Sequence, residues 1–239
     1  MKRIPNRATN GRFKGYTLLE LLISLVILAT VTGAVFEHIN AMQKKANSAA
    51  MKLDMNQQAR EFLDQTVRDL HMAGYPGASM YSNPLLHPSQ VAAGLVRVSP
   101  TEILLEGDVN NDGNVYSVDI TYVANDPNDP KCPCIRRSAQ AKVDADSFSQ
   151  PSNPNYTETQ RVFPPGTGAG QSGEYLFTYY DQNGNTIDVG TGMDLRSAPA
   201  TIASIKTVKI NLSLLTNQQD PASGGFISTS MSATSRLNQ

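Results

Sequence analysis

Residues 16–36, YTLLELLISLVILATVTGAVF, carry one charge in twenty-one positions, Glu20. As an α-helix rising 1.5 Å per residue, such a run is about 30 Å long, the thickness of the hydrocarbon core of a bilayer. Five cations precede it, Lys2, Arg3, Arg7, Arg12 and Lys14, with no acidic residue among them. Basic residues on one flank put that flank in the cytoplasm and the rest of the chain outside. A carboxylate inside a span is costly, roughly 2.5–3.5 kcal/mol on the insertion scale for Asp at mid-membrane, so Glu20 calls for a partner and a role.

The chain has 239 residues, room for one medium domain and an anchor. Charged residues make up 17% and the formal net charge is -1, so no broad basic surface is expected and nucleic acid is not an expected partner. Without the five leading cations the charge falls from -1 to -6, which confines the basic character to the front.

The helical pattern continues past the span. Ile39, Met42, Ala46, Ala49 and Leu53 recur every three or four residues, and after a phase slip Ala59, Phe62, Leu63, Thr66, Val67 and Leu70 extend an apolar stripe. Gly74 followed by Tyr75-Pro76-Gly77 stops it, so one helix is expected to about Ala73. Fifty-eight such residues would measure roughly 87 Å, far beyond the ordinary helix, and half of that length must be covered by something else.

From residue 74 the composition turns to Pro, Gly, Asn, Ser and Thr with short alternating runs. Strands are expected over 102–109 and 115–123 around the turn signal NNDG, over 134–139, in the hairpin 174–189 with Asn183-Gly184 at its turn, and over 205–215 and 225–237. The stretch 144–173, with its prolines and glycines, reads as a loop.

The segment FKGYTLLELLISLVILA resembles the class III signal of type IV pilins and type II secretion pseudopilins: a basic leader, small Gly15, aromatic Tyr16, then Thr17-Leu18-Leu19-Glu20 and a long apolar helix. The later motifs QQAREFLDQTVRDLHMAGYPG, GDVNNDGNVYSVDITY, CIRRSA and YLFTYYDQNGN resemble PilW-type minor pilins and PulJ-type pseudopilins. The resemblance implies that a prepilin peptidase cuts after Gly15 and methylates the new N-terminus at Tyr16. Glu20 then becomes the fifth mature residue, one helical turn from an α-amino cation, and in a filament it meets that cation on a neighbouring subunit. Implied partners are the peptidase, other minor and major pilins, and an inner-membrane assembly platform. The implied location is a single-pass inner-membrane precursor and then an extracellular or periplasmic filament. Retention of Glu20 argues against the extreme tip subunit, which in this family tends to lack it.

Two plainer outlines share the front of the chain. One is a secretory signal peptide cut near Thr32-Gly33-Ala34, although the apolar run exceeds the usual 7–15 residues of such a signal. The other is a single-span anchor that is never processed.

Two further motifs invite chemistry. DVNNDGNVYSVD has the spacing of a calcium loop, with Asp108, Asn110 and Asp112 at positions 1, 3 and 5, Asn114 offering its carbonyl, and Asp119 at position 12. Asp in place of Glu at position 12, Tyr116 at position 9 and a strand-like continuation fit a plain β-turn held by its own Asn and Asp side chains. Calcium is the one ion the spacing admits, and no other cofactor is expected. Cys132 and Cys134 flank one proline. A local disulfide and free or intermolecular thiols both remain open, and an extended chain would set the two Cα atoms near the upper limit of about 6.8 Å for bonding. His38, His71 and His87 are scattered and no nucleophile motif or phosphate loop is present, so an enzyme is not expected.

The expected architecture is α+β and pilin-like. Residues 1–15 form a cleaved leader, 16–36 a transmembrane helix, 37–73 its amphipathic extension, and 74–239 a globular domain in which a small antiparallel sheet packs on that extension. The function this implies is a minor pilin-like subunit that helps initiate a type IV pilus near its tip. A type II secretion pseudopilin and a calcium-modulated adhesive module on an anchor are the alternatives.

Overall fold

The computed structural model describes residues 15–150, 156–163, 175–216 and 218–237. Helix α1 spans Leu18–Met72. The chain divides into two compact units, Met1–Asn47 and Ser48–Gln239. In the first, every described residue from Gly15 to Asn47 is exposed. Ile39 and Met42, expected to open the apolar stripe, are uncovered by the chain itself, as is Leu53 in the second unit. The buried stripe starts later, at Met55, Ala59, Phe62, Leu63, Thr66 and Leu70. The phase slip in the sequence therefore marks where the chain's own core takes over.

Among the described residues the second unit holds the later part of α1, ten strands and a short α-helix. Strands β1 (Gly94–Val98), β2 (Glu102–Gly107), β3 (Tyr116–Val123), β4 (Cys134–Ala141), β5 (Tyr156–Gln160) and β8 (Met193–Asp194) form one sheet in the order β5-β4-β3-β2-β1-β8. A second sheet runs β10-β9-β6-β7, from β6 (Phe177–Tyr180), β7 (Thr186–Ile187), β9 (Thr207–Leu215) and β10 (Ser228–Arg236). Helix α2 (Pro199–Ser204) precedes β9. All strand pairs are antiparallel. The α+β class holds, but the single small sheet becomes two. They meet at the turn between β1 and β2, where the buried Tyr179 hydroxyl donates to the Ser99 carbonyl at 2.7 Å and the Phe177 N–H to that of Pro100 at 3.1 Å.

β5 lies inside the stretch expected to be a loop, and β1 was not expected at all. GLVRV is buried at four of its five positions, so it lacks the alternation that betrays a half-buried strand. β9, by contrast, alternates along its whole length, because one face meets the core and the other does not.

The end of α1 is fastened to β2 by backbone. Gly74 takes φ 83°, the left-handed conformation of a helix stop. The chain then runs antiparallel to the end of β2: Ala73 bridges Gly107, the Gly74 N–H donates to the Glu106 carbonyl at 2.9 Å, and the Asp108 N–H to that of Tyr75 at 2.9 Å. A Cβ on Gly107 would overlap the Met72 carbonyl oxygen and come within 2.8 Å of its carbon. Only glycine permits this approach.

Two buried ion pairs complete the joint. On α1, Asp69 receives Arg137 of β4 through Nε at 2.8 Å and Nη2 at 3.1 Å, and also accepts from Gln65 at 3.0 Å. Burial pushes the Asp69 carboxyl up, against the opposing pull of Arg137. Glu106 Oε2 accepts from Lys142 Nζ at 2.6 Å and from the Ala93 N–H at 2.9 Å, while Lys142 also donates to the Val91 carbonyl at 2.9 Å. The loop between α1 and β1 is thereby pinned to β2.

The β9–β10 connection closes on Asp220. Its carboxylate accepts from the Ser223 hydroxyl at 2.7 Å and from the Ala222 N–H at 3.0 Å, contacts that hold its pKa down at about 2 from an ordinary 3.8.

Two outcomes test this account. Gly107→Ala should lower stability by about 1–3 kcal/mol or more, the usual cost of forced overpacking, and an unchanged melting temperature would refute the close approach. Because the Asp220 carboxyl is depressed, its contribution is complete above an ordinary carboxylate pKa and is lost as pH falls from about 4 to about 2. Hydrogen-exchange protection of the 220–225 amides should fall over that window in the native chain, and Asp220→Asn should abolish the pH dependence.

Candidate processing and assembly site

Gly15, Tyr16 and Thr17 precede the first turn of α1. The Thr17 hydroxyl accepts the Glu20 N–H at 3.3 Å, and the Thr17 carbonyl accepts those of Glu20 and Leu21 at 3.1 and 3.2 Å. Thr17 is thus the residue that starts the helix, with Glu20 three positions on, the spacing of a capping box. In the sequence Thr17 stands out only as part of the motif, and a Ser/Thr-x-x-Glu pattern ahead of an apolar run is the signal for this second role. Glu20 lies in the first turn, where the helix dipole favours a carboxylate.

Nothing lies within 4 Å of a Cβ built on Gly15, so the fold itself does not require glycine there. Tyr16 is 83% exposed. The apolar stretch of α1 has a mean hydropathy of 2.3 with none of it buried, which separates it from the core helix of a soluble protein. Among the described residues no ion pair involves Glu20.

The second candidate site, between β2 and β3, is organised by its own carboxylates. Buried Asp108 accepts the N–H groups of Asp112 at 3.0 Å and Gly113 at 2.9 Å. Asp112 accepts from the Asn114 N–H at 2.9 Å and the Tyr116 hydroxyl at 2.7 Å, and these contacts, Tyr116 first, hold its carboxyl below the usual range. Gly113 takes φ 84° and Asn111 φ 54°, the left-handed positions of the turn. Asn110 is exposed, while Asp119 is buried on β3, paired in register with Leu104 and Ser138. Asp108 and Asp112 are therefore brought together in the turn, with Asn114 beside them, and Asp119 belongs to the strand.

Residues 10–36 match the prokaryotic N-terminal methylation motif. The match takes in the end of the leader, the Gly15–Tyr16 junction, Glu20 and the apolar run, and it supports a type IV pilin- or pseudopilin-type subunit, a structural rather than catalytic class. The motif implies processing by a prepilin peptidase and a membrane-anchored precursor. No curated protein and no solved structure matches the chain. Apart from Gly15, the leader residues of the motif lie outside the described residues.

Away from the motif, Cys132 and Cys134 are joined in a disulfide with their Cα atoms 4.2 Å apart, closer than the extended spacing expected. Together with Asp129 they are the one cluster of three metal-type ligand atoms among the described residues, and the disulfide occupies both sulfurs. Arg136 is held against Asp126 at 2.6 Å and Asp129 at 3.3 Å, which fastens the β3–β4 connection beside them.

If the β2–β3 turn is held by Asp108 itself, Asp108→Ala should cost about 1.5–3 kcal/mol, the net worth of hydrogen bonds to a charged group. Thermal melts of both proteins in calcium and in chelator check this. A loss that appears only when calcium is present would return the turn to the ion.

Proposed function

We propose that this chain is a minor pilin-like subunit of a type IV pilus, cut after Gly15, methylated at Tyr16, and assembled with other minor pilins near the filament tip. The observation that carries the reading is an apolar helix uncovered by its own chain, headed by a prepilin-type motif and bearing one carboxylate with no intrachain cation among the described residues. Lipid covers such a helix before assembly, and the helices of neighbouring subunits cover it afterwards. Cleavage supplies the missing cation. The amine created at Tyr16 is one turn from Glu20 in its own chain, and between subunits the pair stabilises both charges away from water while setting the register of one helix on the next.

The motif serves pili and type II secretion pseudopili alike, and we assign the pilus on the resemblance of the downstream segments. In this reading the globular unit lies outside the cytoplasmic membrane, where the Cys132–Cys134 disulfide is chemically at home.

Co-expression with a prepilin peptidase should give an intact mass beginning at N-methylated Tyr16. Gly15→Leu should leave the fold intact and block that product. Glu20→Ala should insert and be processed normally but enter sheared filaments about tenfold less, the factor corresponding to about 1.4 kcal/mol. Incorporation at the native level would refute the amine pairing.

A further inference from the structure

The Cys132–Cys134 disulfide joins residues only two apart in sequence. A cross-link stabilises chiefly by the loop it closes in the unfolded chain, and the effect grows with loop length, so this bond contributes little by that route. Its two ends differ in access. Cys134 is fully buried at the start of β4, whereas Cys132 is half-buried in the connection before it. An incoming thiolate therefore meets Cys132, and Cys134 is the sulfur that leaves.

Arg136 stands beside the reachable sulfur. Its Nη2 is 3.9 Å from Cys132 Sγ and is held there by Asp126 at 2.6 Å and Asp129 at 3.3 Å. The Asp129 carboxylate, within 4.8 Å of both sulfurs, is countered by that same guanidinium. A neighbouring guanidinium stabilises a thiolate, so in the opened form Cys132 is the sulfur that carries charge and attacks in the reverse step.

The segment bearing the bond also ties the two sheets together. The Lys131 and Pro133 carbonyls accept the N–H groups of Arg161 and Val162 at 3.3 and 2.9 Å. On its other side the same strap meets the end of β9: the Arg161 carbonyl accepts the Leu215 N–H at 2.9 Å, and the Phe163 N–H donates to the Ser213 carbonyl at 2.9 Å. Residues 161–163 thus hang between the cysteine segment and β9.

We propose that Cys132–Cys134 is an exchange site for a small thiol, with Cys132 the attacked sulfur, and that opening it releases the 161–163 strap. In the first step the reagent thiolate bonds to Cys132 Sγ, the Cys132–Cys134 bond breaks, and its electron pair leaves on Cys134 Sγ, which takes a proton from water. A second reagent thiolate then attacks the reagent sulfur of the mixed disulfide and frees the Cys132 thiolate. Two thiols are oxidised to one disulfide, and the chain gains two thiols. The inference stands on the globular unit alone and does not depend on the filament reading.

The test uses the purified full chain in detergent, without denaturant. After incubation with glutathione at neutral pH, an acid quench and pepsin digestion, peptide masses should place glutathione on Cys132 and not on Cys134. In chain reduced with dithiothreitol, the Val162, Phe163 and Leu215 amides should lose hydrogen-exchange protection while those of Leu105 and Val118, inside β2 and β3, keep theirs, which separates release of the strap from unfolding. An adduct that forms only in denaturant, or that divides evenly between the two cysteines, overturns the exchange site. Unchanged protection at residues 162, 163 and 215 in the reduced chain, or a loss shared by Leu105 and Val118, overturns the release of the strap.

Discussion

A helix that is apolar on all sides for some twenty residues and apolar on one face thereafter cannot be satisfied by a single environment. Its first part has no internal polar face to offer water, and its backbone groups are already paired within the helix, so lipid or other helices suit it equally. Its later part, from Met55 on, meets the chain's own sheets through a stripe that includes Ala59, Phe62, Leu63 and Leu70. Everything else in the globular unit serves that second half. The stop at Gly74, the glycine at 107 and the backbone pairing of 73–75 with 106–108 convert the end of the helix into the beginning of sheet order.

Buried charge does the positioning. Asp69 and Glu106 are both fully buried, and each has a cation within hydrogen-bonding distance. Such pairs add little net stability against well-packed apolar residues, yet removing one partner is severe, roughly 3–5 kcal/mol. Their effect here is on register: Arg137 reaches α1 from β4, and Lys142 draws the 76–93 loop onto β2. The first fixes which turn of the helix faces the sheet, and the second holds the end of the loop after α1 against β2.

Long-range periodicity and turn chemistry were legible in the sequence because each is a local property. The extent of α1, its stop at Gly74, and the strands β2, β3, β4, β9 and β10 follow from spacing and from Asn, Asp and Gly at turns. β1 and β8 were not, since a strand buried on both faces has no alternation and a two-residue strand has no pattern. β5 was hidden by its proline-rich surroundings. The division into two sheets depends on contacts such as Tyr179 to Ser99, eighty residues apart, which no local window contains. At the N-terminus the motif named Gly15, Tyr16 and Glu20, but not why Thr17 belongs with them. The helix start at Thr17 supplies that reason.

Asp69 and Glu106 also sharpen the question of Glu20. At Asp69 and Glu106, the two carboxylates that this fold takes fully out of water, it brings a cation to within 3 Å. Glu20 has no such cation among the described residues, and the chain alone leaves it in solvent, so only a membrane or a filament would desolvate it. The cation must then come from the event that creates the buried environment. In the proposed processing, a new amine at Tyr16, released by cleavage at a glycine the fold does not otherwise need, arrives at the same step, one turn from Glu20 along the helix. Under the proposed assembly, processing and burial are one coupled condition: an uncut subunit brings its carboxylate without its counter-charge, and the cost of that unpaired charge excludes it from the filament.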